Sequence, residues 1–294
     1  MHSGFVSVIG RPNVGKSTLI NCIIGSKVAI TSNKPQTTRN IIQGIYNDSD
    51  AQIVFVDTPG IHKPTSKLSK TLNNQAYYSI HDTDFIMFVV DSSGVGTGDE
   101  FVLGEIKKAN KPVVLVINKI DLISKEELIK IVTDYSMLYD FSDIVPISAL
   151  KKNNIKELVK VLKKYLPDEV LYYGKNDITN KSIEFQIAEI VREKVFNATF
   201  DEVPHSITCV TDSIMRNNNA YNILVSIIID RESLKKIILG SHGEKIKKIG
   251  TSARIEIEAL LGKKVYLELF VKTVKKWREK EKYLTEYGFN EYKE

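Results

Sequence analysis

Short apolar runs punctuate the first half of the chain at residues 5–9, 53–56, 113–117 and 144–147. Each is bounded by glycine, proline or polar residues, too short for a core helix and suited to a buried strand. Amphipathic stretches fall between them, so helices are expected over 18–24, 100–109 and 155–165. Strand and helix in alternation predict an α/β domain of three layers, with a sheet covered on both faces. Pro167 stops the last of these helices. The segment 168–181 that follows is polar, contains Gly174 and shows little periodicity, which predicts a linker between domains.

The pattern changes after the linker. Phe185, Ile187, Ala188, Val191 and Val195 recur at helical spacing, and 207–214 and 221–230 read as strands flanking a loop, 215–219, whose asparagines suit a hairpin. A short helix over 233–239 breaks at Gly240-Ser241-His242-Gly243 and resumes from Glu244, with Ile246, Ile249, Ala253, Ile257 and Leu260 on one face. A strand over 265–271 closes the order helix, two strands, two helices, strand. The chain is thus read as an α/β domain over 1–167, a linker over 168–181 and an α+β domain over 182–294.

The first apolar run delivers Gly10-Arg11-Pro12-Asn13-Val14-Gly15-Lys16-Ser17-Thr18, a GxxxxGKS loop feeding a helix. Backbone N–H groups and the positive helix end there converge on one anion, and polyphosphate is the expected guest. Gly10 and Gly15 are expected where a Cβ would crowd a sharp turn or the phosphate oxygens. Lys16 would reach the β- and γ-phosphates, and the Ser17 hydroxyl would serve Mg²⁺. Asp57-Thr58-Pro59-Gly60 follows the second run in the right order for a γ-phosphate sensor, with Asp57 on Mg²⁺ through water and the Gly60 N–H on the γ-phosphate. Upstream, Thr38 is the preferred second hydroxyl for the metal, with Thr37 as its rival.

Asn118-Lys119-Ile120-Asp121, after the third run, selects the base. Guanine offers N1–H and a 2-amino group side by side, which one carboxylate accepts as a bidentate pair, whereas adenine offers no such pair. A carboxylate buried for this purpose rejects a mismatched base by roughly 10⁴. Asn118 would bridge the loop and the base edge, and the Lys119 stem would cover the ring. Ser148-Ala149-Leu150, after the fourth run, fits a last base loop with the Ala149 N–H aimed at O6.

Composition changes this picture little. The 294 residues, 43% hydrophobic, suffice for two cores, and the absence of a run of eighteen apolar residues or a signal-like start predicts a cytoplasmic protein. Cys22 and Cys209 lack metal spacing, and His2, His62, His81, His205 and His242 form no ligand cluster, so no structural metal is expected. The net charge of +5 is modest, but residues 235–282 carry fourteen Lys and Arg against six Asp and Glu. That surplus around the glycine break predicts a basic face there.

With KPQTTRN at 34–40 and DTPGIHKP at 57–64, the chain resembles the translation-factor-like GTPases and, within them, the Era family. EVPHS at 202–206 and REK at 192–194 extend the likeness over nearly the whole chain. The resemblance implies a P-loop GTPase three-layer domain followed by an α+β type II KH domain. In such a domain the GxxG loop, here Gly240, Ser241, His242 and Gly243, lets a nucleic-acid backbone approach, aided by Lys245, Lys247 and Lys248. Residue 61 is Ile rather than a water-orienting glutamine, so stabilisation falls to Lys16, Thr38, Gly60, Mg²⁺ and backbone N–H groups, with Ile61 beside the phosphates. Related GTPases with asparagine at the position of Asn13 use K⁺ in place of an arginine finger, which makes K⁺ a candidate cofactor. Slow turnover, on the order of 10⁻⁴ to 10⁻² s⁻¹, follows from an incomplete catalytic set. The family likeness further implies a monomeric GTP/GDP switch that binds the 3′ end of 16S ribosomal RNA and assists maturation of the small ribosomal subunit, with a lysine-rich tail able to touch anionic lipid on the inner face of the cell membrane. The alternatives are an RNA-binding assembly factor that holds nucleotide only as a structural ligand, and a GTPase acting at the membrane surface.

Overall fold

The computed structural model describes residues 2–32, 34, 37–61, 66–167, 170–200, 203–217 and 219–289. Gln36, His62, Lys63, Pro64, Asp168, Glu202 and Asn218 lie outside the described residues, as do 290–294 and the His205 side chain. The chain divides into two compact units that part after Asn180.

In the first unit β1 (His2–Ile9) leads through the glycine loop into α1 (Lys16–Ile24). Then come β2 (Ile42–Asn47), β3 (Ala51–Asp57), α2 (Lys67–His81), β4 (Phe85–Asp91), α3 (Thr97–Ile106), β5 (Val113–Asn118), α4 (Lys125–Leu138), β6 (Asp143–Pro146) and α5 (Ile155–Lys163). The sheet runs β2-β3-β1-β4-β5-β6, with β2 antiparallel to β3 and every other pairing parallel. Both faces of the sheet are buried, which is why its strands read as unbroken apolar runs. In β4, Phe85, Met87 and Val89 join the core beneath α1 and α5, while Ile86, Phe88 and Val90 join the core beneath α2, α3 and α4. The parallel strands all end on one rim, so the loops after β1, β3, β5 and β6 meet there, where ligands of open α/β sheets bind.

The polar segment read as a linker is bound chain over most of its described length. Thr179 bridges Gly44, the Ile45 N–H donates to Ile178 O at 2.9 Å, and Asn180 N donates to Gln43 O at 3.3 Å. Gln52 Oε1 accepts from the N–H groups of Tyr172 and Tyr173, and its Nε2 donates to Tyr173 O. The segment therefore straps the outer edge of β2. Its polarity, which suggests a tether, instead supplies edge-strand hydrogen bonds.

The second unit comprises α6 (Ile183–Ala198), β7 (Ile207–Asn217), β8 (Ala220–Ile229), α7 (Ser233–Leu239), α8 (Glu244–Leu261), β9 (Lys264–Thr273) and a short α9 (Glu281–Glu286). β8 is the central strand, antiparallel to β7 and parallel to β9. Ile223, Val225, Ile227 and Ile229 on its inner face meet Val191 and Val195 of α6 and Ile249, Ala253 and Ile257 of α8. β7 runs three residues beyond the expected strand end, because Met215, Arg216 and Asn217 pair with Asn222, Tyr221 and Ala220. Trp277 is fully buried, donates from Nε1 to Ser206 O at 3.1 Å and stacks on Phe289. No described helix is long and apolar enough to cross a membrane.

Candidate functional site

The glycines of the first loop are required by the protein itself. A Cβ on Gly10 would stand 2.2 Å from Val89 O, and one on Gly15 would stand 2.4 Å from Asn118 Nδ2. Gly15 also has φ +98°, a left-handed conformation that disfavours any other residue. The crowding expected from phosphate oxygens thus comes from the ends of β4 and β5, against which the loop is laid. Val14 is buried in the core, so its contribution to a ligand is confined to the backbone. Lys16 opens α1 with its ammonium buried, donating to Gly10 O and Arg11 O at 3.0 Å each. Burial pulls its pKa down to about 8 against the attraction of Asp57. Two carbonyls leave the third N–H of this desolvated cation without a partner among the described residues.

The oxygens for a metal meet beside it. Ser17 Oγ lies 2.8 Å from both Thr38 Oγ1 and Asp57 Oδ2, and Thr38 Oγ1 donates to Asp57 Oδ2 at 3.3 Å. Asp57 is fully buried, and its other oxygen, Oδ1, has no hydrogen-bond partner among the described residues. Burial raises its carboxyl to about 6, although Lys16, Ser17 and Thr38 all favour the ionised form. An orphaned carboxylate oxygen next to two hydroxyls is a hard-oxygen donor set that fits Mg²⁺. Of the two threonines, Thr38 lies in this cluster, whereas Thr37 donates its hydroxyl to Lys34 O at 2.6 Å.

Thr58 donates its hydroxyl to Val8 O at 2.9 Å, which fixes the end of β3 on β1. The turn then crosses the phosphate loop so closely that a Cβ on Gly60 would meet Pro12 N at 2.8 Å. Ile61, expected beside the phosphates, is buried instead in the core with Ala76, Ile80 and Val102, because an isoleucine at that point gains more from the core than from a polar cleft. Its side chain has no place in the site. Arg11 also departs from expectation. Its guanidinium turns away from the loop to Asp99, Asp91 and Ser93.

Asn118 joins three loops. Its Nδ2 donates to Val14 O at 2.9 Å, and its Oδ1 accepts from Lys119 N at 2.8 Å and Ala149 N at 3.0 Å. The Ala149 N–H, expected to face the base, is therefore engaged by Asn118. The Lys119 ammonium donates to Asn13 O at 2.7 Å, so its stem spans from the base loop to the phosphate loop. Asp121 accepts from the Ser148 hydroxyl through Oδ1 and is exposed, whereas the sequence suggests a buried carboxylate. A cavity of about 400 Å³ opens among Asn118, Lys119, Asp121, Leu122, Ala149 and Leu150. It shares Asn13, Gly15, Thr18 and Ser32 with the phosphate-loop cavity that holds Lys16, Ser17, Thr38 and Gly60. The base loop and the phosphate loop therefore face one shared cleft. Ser32, Thr31 and Leu122 line these cavities without any sequence signal, since they lie in loops with no motif spacing.

In the second unit Gly240 has φ +73°, His242 +47° and Gly243 +78°. A Cβ on Gly240 would collide with Lys245 Cβ at 2.7 Å, whereas one on Gly243 would meet nothing within 4 Å. The first glycine is demanded by packing and conformation, the second by conformation alone. The loop opens directly onto the N-terminus of α8, with Ser241, His242, Lys247 and Lys248 exposed and Lys245 half-buried. That is a basic turn open to a phosphate backbone.

The first unit is a P-loop GTPase domain and the second a KH-type domain. Residues 5–119 match the family model described as a 50S ribosome-binding GTPase, and residues 202–278 match that of the KH domain. Two solved structures are each 41% identical, with a TM-score of 0.95 over 98% of this chain and 99% of theirs. One is an Aquifex aeolicus Era variant bound to GDP and AlF4⁻, and the other is Era in complex with MgGDPNP and nucleotides 1506–1542 of 16S ribosomal RNA. The chain belongs to the Era family of GTPases.

Proposed function

We propose that this protein hydrolyses GTP with Mg²⁺ and uses the nucleotide to control binding of the 3′ end of 16S ribosomal RNA at its GxxG loop, as a cytoplasmic factor in maturation of the small ribosomal subunit. The observation that carries the reading is that the base cavity shares its wall with the phosphate cavity, which is lined by Ser17 and Thr38, both hydrogen-bonded to the buried Asp57 carboxylate. Ser17, Thr38 and Asp57 would hold the metal, which supplies charge neutralisation on the phosphates. Lys16 and the backbone N–H groups of the glycine loop bind and orient the β- and γ-phosphates. Thr38 and Gly60 sense whether the γ-phosphate is present, and the surrounding loops order or relax accordingly.

The path from sensor to RNA-binding unit is short. β2 begins four residues after Thr38, the strap is hydrogen-bonded to Gln43 and Ile45 of β2, and the strap ends at Asn180, two residues before Ser182 caps α6. Crosslinking of the GTP-loaded protein to ribosomal RNA tests the reading. A Gly240→Asp, Gly243→Asp double substitution is expected to reduce crosslinks at least tenfold, because it places two carboxylates against a phosphate backbone. Unchanged crosslinks would argue against the loop as the RNA site.

Asn13, at φ +67° in the wall of both cavities, is the residue we assign to a monovalent cation. GTP turnover is expected to be faster in K⁺ than in Na⁺, with the difference lost in Asn13→Ala. Equal rates in both salts would remove the cation from the account. Exposed Lys272, Lys275, Lys276, Lys280 and Lys282 favour a secondary contact with anionic lipid. Co-sedimentation with anionic vesicles that RNA competes away would support a shared basic face.

A further inference from the structure

Arg11 leaves the phosphate loop with its guanidinium committed elsewhere. Its Nε donates to Asp99 Oδ1 at 2.6 Å, and Asp99 is itself buried and caps α3 by accepting from Gly96 N at 3.1 Å. The Arg11 stem lies so close to the first turn of α3 that a Cβ on Gly98 would meet its Cδ at 2.6 Å. The other end of the guanidinium reaches Asp91 Oδ1 at 3.4 Å and Ser93 Oγ at 3.3 Å. Asp91, the last residue of β4, offers its second oxygen to Lys119 Nζ at 3.1 Å, and that same ammonium donates to Asn13 O at 2.7 Å. One carboxylate at a strand end thus holds two cations, one from the loop that grips phosphate and one from the loop that grips the base. Asn13 and Lys119 both have left-handed backbones, φ 67° and 64°, so each loop carries a conformation that needs external fixing. Burial pushes the Asp91 carboxyl upward, yet hydrogen bonds from Ser93 and Lys119 keep it below the usual range, as an ion-paired group requires.

We propose that Asp91 is a positioning residue that joins the phosphate loop to the base loop through Arg11 and Lys119, and that it sets the lifetime of the bound nucleotide. This inference rests on the guanine-nucleotide reading of the site. Two loops tied at one point open together rather than singly, so loss of the tie acts mainly on dissociation. Asp91 itself lines neither nucleotide cavity and reaches them only through Lys119 and Arg11, which distinguishes it from the binding residues themselves.

The test is the dissociation rate of a fluorescent N-methylanthraniloyl-GDP from the full chain, chased with excess GDP. Asp91→Asn keeps shape and loses charge, and is expected to release the probe about tenfold faster. Asp91→Glu restores both ion pairs through a longer arm and is expected to stay within about threefold of wild type. Arg11→Met removes the other arm of the tie and is expected to accelerate release about fivefold, with a thermal melt reading separately what the buried Asp99 loses with its partner. A dissociation rate unchanged in Asp91→Asn and Arg11→Met overturns the proposal. So does equal acceleration by Asn and Glu, since a role confined to fitting the end of β4 would penalise both alike. Failure of the wild type to hold the probe would sink the nucleotide reading itself, a different result from unchanged dissociation.

Discussion

Replacing Lys16 with Met is expected to lower the rate of GTP hydrolysis by about 10³-fold or more while leaving the nucleotide-free protein at least as heat-stable as wild type. The two effects share one cause. The Lys16 ammonium is buried, holds two carbonyls among the described residues, and has its pKa pulled down to about 8 by desolvation. Such a charge is a cost to the fold until phosphate oxygens arrive, and a methionine of similar length removes that cost along with the function. Asp57 would lose its buried counter-charge in the variant, which limits the gain in stability. Single-turnover hydrolysis and thermal melting of the nucleotide-free form check the pair of outcomes. Hydrolysis within tenfold of wild type would remove Lys16 from its assigned role.

The second large effect is expected at Asp121. Asp121→Asn exchanges one acceptor for a donor at the wall of the base cavity. Guanine then faces its 2-amino group with an N–H, and affinity for GDP is expected to fall by about 10² to 10⁴. Xanthine carries a carbonyl in place of that amino group, so the same asparagine pairs with it and xanthine nucleotides gain. The Ser148 hydroxyl, which donates to Asp121 Oδ1, keeps an acceptor in the amide oxygen, and the loop is retained. Because Asp121 is exposed, the selectivity needs the bound base to exclude water, and Leu122 and Leu150 stand at 70% and 75% exposure to do so. Competition between GDP and XDP for the bound probe measures the switch. An unaltered preference for guanine would contradict the assignment.

Much of the site is legible in the order of residues alone. The glycine loop, Asp57 and the loop Asn118-Lys119-Ile120-Asp121 each follow an apolar run, and a parallel strand buried on both faces writes itself as such a run. The features that sequence does not reveal have a weak periodic signature or none. α2 does bury Leu68, Leu72, Ala76 and Ile80 at four-residue spacing, but Ser69, Thr71, Asn73, Gln75 and Ser79 are buried around them, so its apolar stripe is narrow and easily missed. The strap at 170–180 looks like a tether because its contribution is hydrogen bonds to a sheet edge rather than apolar area. Spacing alone places Ile61 and Arg11 at the ligand, yet one follows its side chain into the core and the other follows its charge to Asp99 and Asp91. Spacing locates a backbone; the side chain goes where its own chemistry is satisfied. The role of Asp91 depends on residues from three loops that sequence order keeps far apart.

The central claim is that one molecule couples its purine site to its RNA loop. Titration calorimetry with an RNA fragment matching the 3′ end of 16S ribosomal RNA, against the full chain loaded with GDPNP and then with GDP, tests it most directly. Binding is expected to be about tenfold or more tighter in the GDPNP form, a coupling of roughly 1.4 kcal/mol. The same dissociation constant in both forms would contradict it.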